Sequence, residues 1–183
     1  MNFERTPEQN AIVEAVTQLC SDFGPEYWAA LDREHKFPEA FHRAMADAGW
    51  LGIAMPERFG GAGLGITEAA LIMQTVSASG AGFSGASSIH MNVFGLNPVV
   101  VFGTEVQQAA ALPPLIAGHD KACFAVTEPD AGLDTTHLKT QAVRTADGSA
   151  YRVDGRKIWI STAQVASRML LLARTTPLDA VAK

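Results

Sequence analysis

The chain has 183 residues, enough to bury a core in one domain or one and a half. Hydrophobic residues make up 48% of it, which excludes a disordered chain, and a formal net charge of -5 argues against nucleic acid as a general partner. The residues after Met1 are polar, no apolar run approaches membrane-spanning length, and Cys20 and Cys123 form no metal or redox motif, so a cytoplasmic protein with reduced thiols and no membrane insertion is expected.

The first half reads as helices. Thr6-Pro7-Glu8-Gln9 is a capping box with proline at the first helical position, and Ala11, Ile12, Ala15, Val16 and Leu19 follow at helical spacing. Gly24-Pro25 ends that helix, and Glu26 to Glu34 forms a second. Pro38 opens a third, with Phe41, Ala44, Met45 and Ala48 on one face and Gly49 as its C-terminal cap. Trp50 to Pro56 reads as a buried connector, and glycine-rich Glu57 to Gly65 as a constrained loop rather than a ligand contact. Thr67 to Ser79 is the next helix, then two shorter pieces, Ser87 to Gly95 and Pro98 to Phe102. Thr104-Glu105-Val106-Gln107 is a second capping box, whose helix is expected to end at Leu112-Pro113-Pro114.

From Lys121 the pattern becomes strand-like: Ala122–Val126, Leu138–Arg144, Tyr151–Val153, Lys157–Ile160 and Arg168–Arg174, with hairpin signals at Asp147-Gly148 and Asp154-Gly155. Helices followed by strands imply an α+β fold. The expectation is an all-helical domain, residues 1–119, followed by an antiparallel β domain, residues 120–183.

Two stretches carry the chemistry. The strand Ala122–Val126 must stop at Thr127-Glu128-Pro129, since proline cannot donate to a ladder. Ala131-Gly132 then allows a tight turn whose free N–H groups can cradle an anion. A strand over Lys157–Ile160 would set Trp159 and Ser161 on one face. An indole and a hydroxyl beside an anion-binding turn suit a flat heteroaromatic ring with a phosphate tail.

These residues resemble the signatures of the acyl-CoA dehydrogenase family. Ala125, Thr127, Glu128, Pro129, Ala131, Gly132 and Asp134 match A-x-T-E-P-x-A-G-S-D, with Leu133 in place of the serine. Gly155, Lys157, Trp159, Ile160 and Ser161 match G-x-K-x-W-I-T. Glu57 to Gly63 resembles the P-E-x-Y-G-G-x-G segment, with Phe59 for the tyrosine. The resemblance spans nearly the whole chain, but the family fold continues well past Lys183.

The resemblance implies FAD as cofactor, held by Phe124, Val126, Thr127, Gly132, Leu133, Trp159, Ile160 and Ser161, with Phe124 and Leu133 also meeting the acyl-CoA substrate. Ile89, His90, Met91 and Val93 would line the far end of the acyl pocket. The implied reaction is α,β-dehydrogenation of an acyl-CoA thioester, with an electron-transfer flavoprotein as acceptor and a homo-oligomer, dimer or tetramer, as the assembly. No catalytic base is expected in this chain. Glu128 reads as a structural carboxylate bound to local backbone or a basic residue, and the family's base lies beyond Lys183, so the chain alone is expected to be inactive. A same-fold flavin oxidase and a non-catalytic flavin- or CoA-binding module remain as alternatives.

Other matches fail on context. Gly80-Ala81-Gly82-Phe83-Ser84-Gly85 satisfies G-x-G-x-x-G, but a helix precedes it where a strand is required. The five histidines make no i, i+4 metal pair and read as surface residues.

Overall fold

The structure, a computed structural model, describes residues 4–180; the ends of the two expected domains, residues 1–3 and 181–183, lie outside it. Among the described residues seven α-helices come first: α1 (Pro7–Cys20), α2 (Pro25–Glu34), α3 (Glu39–Asp47), α4 (Ile66–Val76), α5 (Gly82–Phe94), α6 (Asn97–Phe102) and α7 (Glu105–Ile116). Four short strands follow: β1 (Ala122–Ala125), β2 (Gln141–Arg144), β3 (Tyr151–Asp154) and β4 (Arg168–Leu171).

The helix starts follow their caps. Thr6 Oγ1 accepts from Gln9 N at 3.2 Å while Gln9 Oε1 accepts from Thr6 N at 3.1 Å, and Thr104 and Gln107 repeat the arrangement at α7. Gly49, at φ 80, follows the α3 cap. Ile12, Val16, Trp28, Phe41, Met45, Ile72, Val76 and Ile89 build the main core from α1 to α5. On α3, His42 and Ala46 are buried beside Phe41 and Met45, whereas Ala48 is exposed, so the apolar face is rotated from the expected one.

The glycine-rich loop is a connector. Gly63 N donates to Met55 O at 2.9 Å and Leu64 N to Ile53 O at 3.0 Å. A Cβ on Gly61 would stand 2.1 Å from Met55 O, so backbone approach dictates that glycine. A helix, α4, precedes Gly80, so that G-x-G-x-x-G match has no strand before it.

α7 does not stop at its prolines. It runs through Pro113 and Pro114 to Ile116. Each proline removes a donor from the ladder. The carbonyl four residues before Pro114, Ala110 O, accepts instead from Arg168 Nη2 at 3.2 Å.

The β region departs from a purely antiparallel arrangement. β2 and β3 pair antiparallel across the Asp147-Gly148 turn, but β1 and β4 pair parallel, Ala122 opposite Arg168. Both strands leave the same corner. Ser167 N donates to Lys121 O at 2.9 Å, and Arg168 Nε binds Asp120 Oδ2. A parallel pair needs a long crossover, and residues 126–167 supply it. Met55, Met91, Leu112, Leu115, Ile116 and Ala122 form a second core, with Leu170 packed on it, which fastens β1 and β4 to the helices.

The expected strand Lys157–Ile160 is absent, and Asp154-Gly155 makes no hairpin. Trp159 sits at φ 59 and Thr162 at φ 69, left-handed conformations that no strand contains. Alternation therefore does not place Trp159 and Ser161 on a shared sheet face.

Candidate functional site

The crossover between β1 and β4 holds the chemistry-bearing residues. β1 buries Ala122, Cys123 and Ala125 and turns Phe124 outward, 39% exposed. Val126 and Thr127 follow, half-buried. Glu128 and Ala131 then close a turn on each other, Glu128 N to Ala131 O at 2.9 Å and Ala131 N to Glu128 O at 3.3 Å. Gly132 lies exposed after it, and Leu133 stands wholly in solvent.

Glu128 is 4% exposed and points inward. Its Oε2 accepts from Lys139 N at 2.6 Å and its Oε1 from Thr140 N at 2.8 Å and Lys157 Nζ at 2.9 Å. Burial alone would raise this carboxyl, but the hydrogen bonds from Thr140, the Lys139 backbone and Lys157 outweigh it and hold the group at about 2. Both oxygens are engaged, so the structural reading of Glu128 fits this geometry.

Lys157 draws the second motif against the first. Its ammonium also donates to Val126 O at 2.8 Å, and Ile158 N donates to Thr127 O at 3.0 Å. A Cβ on Gly155 would lie 2.3 Å from Thr140 Oγ1 and 2.7 Å from Thr140 Cα, so only glycine lets the segment pass. Beyond this clamp the chain turns outward. Trp159 is 85% exposed, Ile160 is half-buried, and Ser161 opens the turn over 161–165.

The structure thus brings Val126 and Thr127 to the 157–160 segment, and leaves Phe124, Leu133 and Trp159 uncovered. Lys157, Lys139 and Thr140 were not singled out for this scaffold by the sequence reading. The usable signal was the charge itself: Lys157 heads an otherwise apolar run, Ile158-Trp159-Ile160, where a buried ammonium requires a carboxylate. A cavity of about 500 Å³ adjoins the 161–165 turn, lined by Phe37, Pro38, Phe83, Ser87, Thr162 and Val165. The expected far-end residues divide. Ile89, Met91 and Val93 are buried in the helical cores, and only His90 is partly exposed, its ring 5.8 Å from that of Phe94.

His42 corrects the reading of the histidines as surface residues, because it is 1% exposed. Among the described residues no group of three or more His, Cys, Asp or Glu could hold a metal ion, and no helix is long and apolar enough to cross a membrane.

Residues 6–119 match the family described as Acyl-CoA dehydrogenase, N-terminal domain, and residues 123–182 match Acyl-CoA dehydrogenase, middle domain. A probable acyl-CoA dehydrogenase of Bacillus subtilis, YngJ, is 33% identical over 175 residues, covering 96% of this chain and 45% of its own. The human mitochondrial short-chain specific acyl-CoA dehydrogenase is 32% identical over 166 residues, covering 88% of this chain and 40% of its own. The crystal structure of an acyl-CoA dehydrogenase complexed with FAD from Bacillus anthracis superposes with a TM-score of 0.81 at 28% identity, covering 93% of this chain and 29% of that one. The chain spans less than half the length of these relatives.

Proposed function

The chain belongs to the acyl-CoA dehydrogenase family, and from that premise we propose that it supplies the helical unit, residues 1–119, and the β unit, residues 120–183, of an FAD-dependent enzyme that desaturates an acyl-CoA thioester between its α and β carbons. The observation that carries this is the clamp of Lys157 on Val126 O and Glu128, which holds the segment carrying the uncovered Trp159 against half-buried Thr127 through Ile158 N.

The residues present fit a flavin. Phe124, Leu133 and Trp159 are apolar groups left in water around a polar turn, an arrangement a flat ring would cover. Thr127 and Ser161 offer hydroxyl donors for ring heteroatoms, and no atom lies within 4 Å of where a Cβ on Gly132 would be, so a phosphate can approach its backbone. Val126 and Ile160 complete the half-buried floor. FAD, when bound, accepts the hydride that leaves the β carbon. The residues of this chain orient and cover. Phe124 would border the flavin and thioester and Leu133 would meet the acyl-CoA chain, and the Glu128–Lys157 pair holds the two loops in register without touching the reacting atoms.

No base is assigned among the described residues. Glu128 is saturated by three donors, and Glu68 caps α4 through Gly65 N at 3.0 Å and accepts from Gln9 Nε2 at 2.8 Å. The carboxylate that takes the α proton is placed on the remainder of the family fold, together with the homo-oligomer contacts that complete the flavin site. The electron acceptor is placed as an electron-transfer flavoprotein and the compartment as cytoplasmic.

The test uses a longer protein that contains this chain. Ser161→Ala is expected to shift the flavin spectrum and slow reduction by acyl-CoA by roughly tenfold or less, one hydrogen bond being worth about 1 kcal/mol. Unchanged spectra and rates would remove Ser161 from the site. The 183-residue chain alone is expected to show no dehydrogenation with FAD in excess; turnover by a yellow, monodisperse monomer would overturn the placement of the base.

A further inference from the structure

Asn92 on α5 is 1% exposed, and its amide nitrogen donates to Leu115 O at 3.0 Å and Asp120 O at 3.0 Å. Those two bonds fix the orientation of the amide, because turning it over would aim Oδ1 at two carbonyl acceptors. Oδ1 therefore faces away from them, buried among groups that do not yet account for its lone pairs. His42 Nε2 on α3 is in the same condition, and both side chains meet at one corner: His42 Cε1 lies 3.4 Å from where a Cβ on Gly118 would stand, between the Leu115 and Asp120 carbonyls that Asn92 holds. An amide oxygen only accepts, so the pair is satisfied in one way: the ring nitrogen carries the hydrogen.

We propose that His42 holds its ring hydrogen on Nε2 and donates it to Asn92 Oδ1, which makes His42 a positioning residue for the corner over 117–121 from which β1 starts. Backbone bonds already shape the corner, Gly118 N to Leu115 O at 3.1 Å and Asp120 N to Pro114 O at 2.9 Å. Gly118 is at φ 68, and a Cβ there would meet Ala46 Cβ at 2.6 Å and His42 Cε1 at 3.4 Å. Arg43 Nη1 donates to Ala117 O at 3.0 Å, and Lys121 Nζ reaches Glu39 Oε2 at 2.9 Å. α3 therefore grips the corner through one bond from Arg43 to a backbone carbonyl, one ion pair from Lys121 to the exposed Glu39 and, through Asn92, one buried bond. An ion pair with an exposed partner contributes little and is screened by salt. The buried bond is the one that fixes the Leu115 and Asp120 carbonyls, and through Asp120 the Arg168 contact that seats β4.

The charged groups facing the ring are Lys121 on the corner and Glu39 and Arg43 on α3. Burial first, then Lys121 and Arg43, disfavour the imidazolium, while Glu39 and the Asn92 bond oppose them. The ring stays neutral at physiological pH, as a single-tautomer donor requires.

A long-range proton–nitrogen spectrum of the ¹⁵N-labelled chain tests this, with His42→Gln identifying the signals. Between pH 5 and 8 the expected pattern is a pyrrole-type Nε2 and a pyridine-type Nδ1 that do not titrate. A pyrrole-type Nδ1, or a ring that titrates near its ordinary value, would overturn the proposal. Hydrogen exchange at the Asp120 to Cys123 amides gives a second readout. His42→Leu is expected to speed it on the order of tenfold, the ratio one hydrogen bond supports, while His42→Gln, whose amide reaches the same oxygen, keeps the wild-type rate. Equal exchange in the two variants would reduce His42 to a space-filling role.

Discussion

Lys157 Nζ lies 2.9 Å from Glu128 Oε1 and 2.8 Å from Val126 O, with both side chains more than nine-tenths buried. One ammonium thus closes the loop after β1 onto the segment that carries Trp159. Glu128→Gln would leave that ammonium buried without its counter-charge and turn an amide N–H toward a backbone donor. The expected loss is about 3–5 kcal/mol, read as a lower urea midpoint. Adding Lys157→Met should recover part of it, since the uncompensated charge is then gone. Losses that simply add would show that the two side chains do not act together.

Trp159 combines a left-handed backbone with an indole that is 85% exposed. A non-glycine residue there costs roughly 1–2 kcal/mol, and an exposed ring recovers little of it within the chain. Trp159→Gly should therefore leave the thermal midpoint of the chain unchanged or raised. In a longer protein that retains flavin, the same substitution should lower flavin occupancy. A lower midpoint without loss of flavin would place the indole in the chain's own packing.

These two positions show what the sequence made legible and what it hid. Caps and breaks were local, so Thr6, Gly24-Pro25 and Thr104 marked helix ends that the structure keeps. The motif residues were legible as types, but their geometry was not. Lys157 to Ile160 has strand composition, yet its conformation is set by Glu128, Val126 O and Thr127 O, partners about thirty residues away whose pull no local pattern records. The parallel β1–β4 pair was hidden for the same reason, since Lys121 meets Ser167, and Asp120 meets Arg168, only in space. α7 passed its prolines because a guanidinium from β4 took up a released carbonyl. His42 was misread because a histidine on an apolar helix face carries no mark of the asparagine that receives it.

Gly155 gives a further test of the clamp. Its missing Cβ would overlap Thr140 backbone and side chain together, at 2.7 Å from Cα and 2.6 Å from Cβ. Thr140 cannot retreat without giving up the 2.8 Å bond from its N–H to Glu128. Gly155→Ala should cost about 1–3 kcal/mol of stability, with a smaller effect from Thr140→Gly in the same background. A neutral Gly155→Ala in a denaturant titration would mean that the two segments do not approach this closely in solution.

Stability should fall in two steps as the pH is lowered, and the two steps have different owners. His42 is depressed from 6.5 to about 4, so between those values the unfolded chain holds a proton there that the folded chain does not. Stability is fully present above about 6.5 and declines toward 4, by at most on the order of 3 kcal/mol at 1.36 kcal/mol per unit. Glu128 is depressed from 4.5 to about 2, so its contribution is present above 4.5 and is lost as the pH falls toward 2. Asp147, exposed in the β2–β3 turn and held at about 2 by Thr145 and Ser149, joins only this lower step. Urea midpoints measured from pH 3 to 8 should therefore show one decline from about 6.5 and a second from about 4.5. His42→Leu should shrink the first, to which half-buried His90 also contributes, and leave the second, whereas Glu128→Gln should lower the whole curve and shrink the second, which it shares with the other depressed carboxylates. A single step that persists in both variants would mean that neither buried group governs the acid sensitivity of the fold.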